Sequence, residues 1–160
     1  MVPVAYHATG RAWYAVLMRI RSLNHSTYQH SYHLVWGTKY RRKWLKPYVK
    51  ADLLEAFYLV EQFYPTLKIL EVNTDEDHVH IQLEVPPDVT VAKAVQVLKQ
   101  NSSRRLRQKY RHIRKIYLEK SIWSVGYFSS TIGLNEEQIK KYIAQQGEEE
   151  LPKQAKLGFS

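Results

Sequence analysis

Residues 66–87 read TLKILEVNTDEDHVHIQLEVPP, two runs that alternate between apolar and polar residues, joined by three acids and closed by two prolines. Alternation with a period of two is the mark of a strand with one buried face. The stretch therefore predicts two strands, 66–75 and 78–85, connected through a short acidic turn. Pro86 and Pro87 stop the second strand, because proline has no N–H to continue a ladder. Within it, Val79, Ile81, Leu83 and Val85 take one face, while His78, His80, Gln82 and Glu84 share the other.

Working outward, HSYHLVWGTKYR (30–41) alternates around Tyr32, Leu34 and Trp36 and predicts a strand ended by Gly37. PYVKADLLEAFYLVEQFY (47–64) carries Leu53, Leu54, Phe57, Val60 and Phe63 at helical spacing, with Pro47 at its start and Pro65 beyond its end. A second helix is expected over 88–110, with Val91, Val95 and Leu98 on one face, and a fourth strand in WSVGYFSSTIG (123–133). Asn135 and Gln138 form a capping-box pair that opens a last helix, EEQIKKYIAQQ, which ends at Gly147. The order β-α-β-β-α-β plus a terminal helix is α+β. It is the ferredoxin-like (RRM-like) split βαβ arrangement, an antiparallel sheet with two helices on one face. Residues 1–29 are weakly periodic and read as an N-terminal extension, with Met18 as an internal alternative start. The domain spans 30–147, and 148–160 form a tail.

A chain of 160 residues suits one domain with a real core. Lys and Arg number 24 against 15 acids, a formal net charge of +9, which favours a polyanionic partner. Much of the charge lies in TKYRRKWLKPYVK (38–50) and LKQNSSRRLRQKYRHIRK (98–115). Either run could be a solvated face, but the interleaved Tyr, Trp, Gln, Asn and Ser suit phosphate contacts and base stacking. The absence of cysteine excludes disulfides and thiolate metal sites. No stretch approaches the roughly 20 apolar residues of a membrane span, and no secretory h-region opens the chain. A soluble, cytoplasmic protein with no membrane partner is expected.

Two histidines at i and i+2 on one strand face project in parallel and can share one ion. A polar strand face is common, however, and such a pair also arises by chance. Tyr142 and Gln146 lie four apart on the last helix and could dock against the histidines. Their spacing with Ile139 and Ile143 equally describes a buried stripe. His33, on the polar side of the first strand, reads as a structural or surface residue. Tyr127 reads as a sheet residue and as the rival nucleophile. Asp75 and Asp77 flank the pair and could orient a histidine from behind.

Five segments in order resemble one family: YHLVWGTKYRRKWL (32–45), DHVHIQLEVPP (77–87), LKQNSSRRL (98–106), WSVGYFSSTIG (123–133) and IKKYIAQQ (139–146). They are similar to the single-tyrosine HUH transposases of the insertion sequence 200/605 family, and the resemblance covers about residues 30–147. It implies that His78 and His80 bind Mg²⁺ or Mn²⁺, that Gln146 completes the metal site and that Tyr142 is the nucleophile. It further implies cleavage of single-stranded DNA with subterminal hairpins, through a 5′-phosphotyrosine. A homodimer is implied, with the tyrosine acting in cis or in trans. DNA contacts are expected from Lys39, Arg41, Arg42, Lys43, Lys99, Ser102, Ser103, Arg104 and Arg105, with Tyr40 or Trp44 stacking on bases. A domesticated relative acting on chromosomal palindromic repeats, or an HUH replication-type nickase, would use the same chemistry. A non-enzymatic, RRM-like nucleic-acid-binding module is the alternative from another class, although no strand carries its aromatic signature.

Overall fold

The computed structural model describes residues 21–23, 26–28 and 30–131. The expected last helix, with Tyr142 and Gln146, lies outside the described residues. Two short strands, β1 (Arg21–Leu23) and β2 (Ser26–Tyr28), form a separate antiparallel pair within the stretch read as an extension. The main sheet comprises β3 (Ser31–Gly37), β4 (Lys68–Thr74), β5 (His78–Glu84) and β6 (Phe128–Ser130). Its order is β4-β5-β3-β6 with every pairing antiparallel, which is the split βαβ topology.

Helices α1 (Pro47–Phe63) and α2 (Val91–Lys109) supply the apolar layer. Pro47 sits in the first turn of α1, where its missing N–H costs nothing. Thr90 caps α2, its hydroxyl accepting the Lys93 N–H at 3.1 Å. Val79, Ile81 and Leu83 of β5 and Leu34 and Trp36 of β3 join Leu53, Phe57, Val60, Val95 and Leu98 in one buried cluster. Each such side chain contributes about 1.5–3 kcal/mol on burial. Trp36 stands edge-on to Phe57 and Trp123, with centroids 6.0 and 6.2 Å away.

Several expectations need correcting. The alternation of 66–75 is interrupted by a register shift between Ile69 and Glu71, which keeps both Ile69 and Val72 opposite inward residues of β5. The fourth strand is much shorter than 123–133. Trp123 makes only an isolated bridge to Thr38, and pairing resumes at Phe128. A further short helix, α3 (Arg111–Ile116), follows α2 and buries Ile113. On α1, Phe63 is exposed while Asp52 is buried, the reverse of their polarity. Glu84, on the nominally open face of β5, is also buried.

Candidate active site

Antiparallel register, more than local sequence, assembles the histidine face. On β5, His78 lies opposite Gly37, His80 opposite Val35 and Gln82 opposite His33. Gly37 places no side chain beside His78, and Val35 is fully buried between His80 and Phe128 of the flanking strands. The His78 and His80 rings stand with centroids 5.0 Å apart, inclined at 63°.

Each ring is held by its Nδ1 atom. That of His78 lies 2.7 Å from Asp77 Oδ1. The other oxygen of Asp77 accepts from Arg41 Nε at 3.0 Å and Nη2 at 2.5 Å. Burial pushes the Asp77 carboxyl up, but hydrogen bonds from His78 and Arg41 outweigh it and hold the group below its ordinary value. Asp77 is therefore an anion with no proton to give, so His78 carries the N–H of this contact on Nδ1. His80 Nδ1 lies 3.2 Å from His33 Nε2, with the two rings stacked at 5.3 Å. Burial lowers the His80 pKa to about 4, with His78 and His33 adding to the effect. Burial also lowers His33, against a raising influence from Glu71. His80 and His33 are thus neutral at physiological pH, the state in which imidazole can ligate a cation.

With both Nδ1 atoms engaged, Nε2 is the ligating atom left to each ring. The donor set fits a divalent cation in part: two imidazoles on one face, one of them backed by a carboxylate. Among the described residues no group of three or more His, Cys, Asp or Glu side chains could complete such a site. Nitrogen donors suit Mn²⁺ better than Mg²⁺, which prefers oxygen. Asp75, the other flanking acid, accepts the Glu76 N–H at 2.7 Å and shapes the turn.

The basic run after β3 is largely occupied by this turn. Thr38 N–H donates to Asp77 O at 2.8 Å and Leu45 N–H to Glu76 O at 3.0 Å. Lys46 pairs with Glu76 at 2.7 Å, and Lys50 donates to Thr74 O at 3.0 Å. Tyr40 and Arg41 both adopt left-handed backbone, φ 59° and 52°. This conformation costs an L-residue about 1–2 kcal/mol. It accompanies the turn-in of Arg41 towards Asp77.

The expected DNA contacts divide accordingly. Arg41 is committed to Asp77 and Lys39 to Glu119. Arg42 donates to Ile116 O at 3.3 Å and lies over the Tyr40 and Tyr117 rings. Lys99 Nζ donates to the carbonyls of Ser124 and Gly126, each at 2.8 Å. Ser102 is fully buried, donating to Leu98 O at 2.7 Å and accepting from Trp123 Nε1 at 2.9 Å. Ser103 is buried beside the Ile122 N–H. Arg105 pairs with Glu55 at 2.6 Å. Trp44 is buried with its Nε1 on Tyr117 Oη, so its ring is not open for a base, while Tyr40 is half-buried and stacks on Tyr117. Lys43 and Arg104 are exposed and only loosely engaged, Lys43 4.0 Å from Glu76 and Arg104 donating to Asn101 Oδ1 at 3.2 Å. A cleft of about 590 Å³ between α2, α3 and the chain around Lys120 has Arg104, Arg107, Arg114 and Lys120 in its lining and no acid among the described residues. Tyr127 is half-buried against the core just ahead of β6.

The sheet order places the protein in the class of ferredoxin-like α+β domains, here with an imidazole pair on the open face of β5. The chain belongs to the IS200-like transposase family, whose model matches residues 26–146. It is 32% identical over 133 residues to the transposase of insertion sequence IS200 from Salmonella typhimurium, covering 81% of this chain and 85% of that protein. It is 32% identical over 124 residues to the ISDra2 transposase TnpA of Deinococcus radiodurans, covering 77% and 88%. A crystal structure of a candidate transposase from Deinococcus radiodurans R1 superposes with a TM-score of 0.72 at 26% identity, covering 79% of this chain and 98% of that one. No helix among the described residues is long and apolar enough to cross a membrane.

Proposed function

We propose that the protein is a metal-dependent, single-tyrosine transposase that cleaves and rejoins single-stranded DNA at insertion-sequence ends. The observation that carries this reading is the pair of imidazoles on one face of β5, both tethered through Nδ1. His78 and His80 would hold Mg²⁺ or Mn²⁺, with Gln146 as a further ligand. Bound there, the ion would neutralise charge developing on the scissile phosphate. Tyr142 Oη attacks phosphorus as the bond to the 3′ oxygen breaks. The phenol loses its proton and the departing oxygen gains one, leaving a 5′-phosphotyrosine and a 3′-OH. A 3′-OH from another strand reverses the step, so the phosphodiester energy is kept and strands are exchanged without ATP. A free phenol has a pKa of about 10, which is why the attack needs electrostatic help at neutral pH.

The substrate in this reading is single-stranded DNA bearing subterminal hairpins, and the enzyme is a homodimer in which Tyr142 can act in trans. The exposed Lys43 and Arg104 and the basic lining of the cleft beside α2 support a phosphate-binding role. The test is incubation of the full chain with a hairpin-bearing element end and Mn²⁺, followed by denaturing electrophoresis. A covalent protein–DNA adduct that disappears in Tyr142→Phe is expected. No adduct from folded wild-type protein and its own element end refutes the reading. An adduct surviving in Tyr142→Phe moves the nucleophile, with Tyr127 the next substitution.

A further inference from the structure

We infer that His33 is a positioning residue, accepting the Nδ1–H of His80 so that the Nε2 lone pair of His80 is turned to the cation. The inference rests on the reading that His78 and His80 hold a divalent metal, and it assigns the support of the second imidazole.

The argument is one of proton placement. His33 Nε2 and His80 Nδ1 are 3.2 Å apart, so a single proton lies between two neutral rings. If His33 donates, His80 must carry its own proton on Nε2 and cannot ligate through that atom. If His80 donates, its Nε2 is bare, matching His78, whose Nδ1 proton is drawn to Asp77. Only this second arrangement lets both rings offer Nε2 to one ion. Its cost falls on His33, whose proton moves to Nδ1. That atom is buried and has no hydrogen-bond partner among the described residues. A buried, unmatched N–H costs about 1–3 kcal/mol, so this tautomer of His33 lowers stability in favour of a competent His80.

The placement also follows from the sheet. His33 is paired with Gln82, one step along the same face from His80, and so reaches the His80 ring diagonally across the β3–β5 ladder. The two supports differ chemically. Asp77 is an anion that holds His78 by charge, whereas His33 is a neutral acceptor that leaves the charge near His80 unchanged.

The test uses the full-length protein with ¹⁵N-labelled histidine and no DNA. Long-range ¹H–¹⁵N spectra of the protein saturated with Mg²⁺ should show His80 as the Nδ1–H tautomer and His33 likewise, since the bound ion offsets the cost at His33 Nδ1. In His33→Ala, His80 should shift towards Nε2–H, and calorimetric titration should give Mn²⁺ affinity reduced by about 10–100-fold. His33→Gln retains an acceptor oxygen and should restore the His80 tautomer and most of the affinity. Wild-type His80 found as Nε2–H in the Mg²⁺-saturated protein overturns the inference. So does undiminished Mn²⁺ affinity in folded His33→Ala, or a loss that Gln does not rescue. In these cases the metal reading stands, provided the wild type binds Mn²⁺. A wild-type protein that binds no Mn²⁺ refutes the metal reading itself.

Discussion

Replacing Asp77 by Ala removes a carboxylate that contacts Arg41 through two nitrogens, at 3.0 and 2.5 Å, and His78 at 2.7 Å. Hydrogen bonds to a charged group are worth about 1.5–3 kcal/mol each, but three that share one carboxylate do not add. Breaking a buried ion pair costs about 3–5 kcal/mol. The Arg41 side chain keeps 23% of its exposure and Asp77 12%, so water recovers part of the loss. A fall of about 2–3 kcal/mol in unfolding free energy is expected, read by urea denaturation. Mn²⁺ affinity should fall separately, by about 10–100-fold, because His78 is no longer fixed with its proton on Nδ1. The two effects come apart in Arg41→Ala/Asp77→Ala. Removing both charges should restore most of the stability, since no guanidinium is left beside a missing partner, while Mn²⁺ affinity stays low. If the double variant regains wild-type affinity, or folded Asp77→Ala never loses it, the carboxylate does not orient His78 and the reasoning fails.

Further outcomes concern groups away from the histidines. Asp52 is held below its ordinary carboxylate range by hydrogen bonds from Lys109 and then Tyr110, so its stabilisation is present above pH about 4 and is lost as pH falls through that depressed value. Asp52→Asn should therefore flatten the acid limb of the stability–pH curve without altering DNA cleavage per folded molecule. In the same pair, burial and then Asp52 raise Tyr110 to about 12. In a spectrophotometric titration this tyrosine should ionise near that value and move back towards 10 in Asp52→Asn. Ser102→Ala should cost about 1–3 kcal/mol by leaving the Trp123 N–H unmatched, while affinity for single-stranded DNA is unchanged; weakened binding in a fully folded variant would contradict its interior role. Lys43→Ala and Arg104→Ala should weaken DNA binding uniformly across sequences, each lowering the slope of log K against log salt by about 0.7.

What could be read from the sequence had a local cause. Alternation located β3 and β5, helical spacing located α1 and α2, and the two histidines fell on one face because strand geometry alone puts them there. The misses were non-local. Leu70 looks like any strand residue, and only pairing against β5 reveals the register shift beside it. The partial pairing of 123–130 depends on where β3 runs, not on the composition of the segment. Ser102 and Ser103 resemble phosphate ligands in a basic run, yet helix phase turns them inward to Trp123 and Ile122. Arg41 sits among cations that suggest a DNA surface, and its bond to Asp77 spans 36 residues. His33 lies 47 residues from His80, so nothing in its neighbourhood announces the contact.

The central place of β5 sets how the histidines can be altered in time. Ladders to β4 and β3 flank the strand on both sides, and its alternate residues are locked into the buried cluster. Amides around Val79 to Ile81 should therefore exchange with deuterium only through global opening, at a free energy equal to that of unfolding. Partial fluctuations, which remodel edges and loops in microseconds, leave these two rings where they are. In the proposed reaction, control over timing would then be exercised on whatever approaches this strand, which ladders brace on both sides.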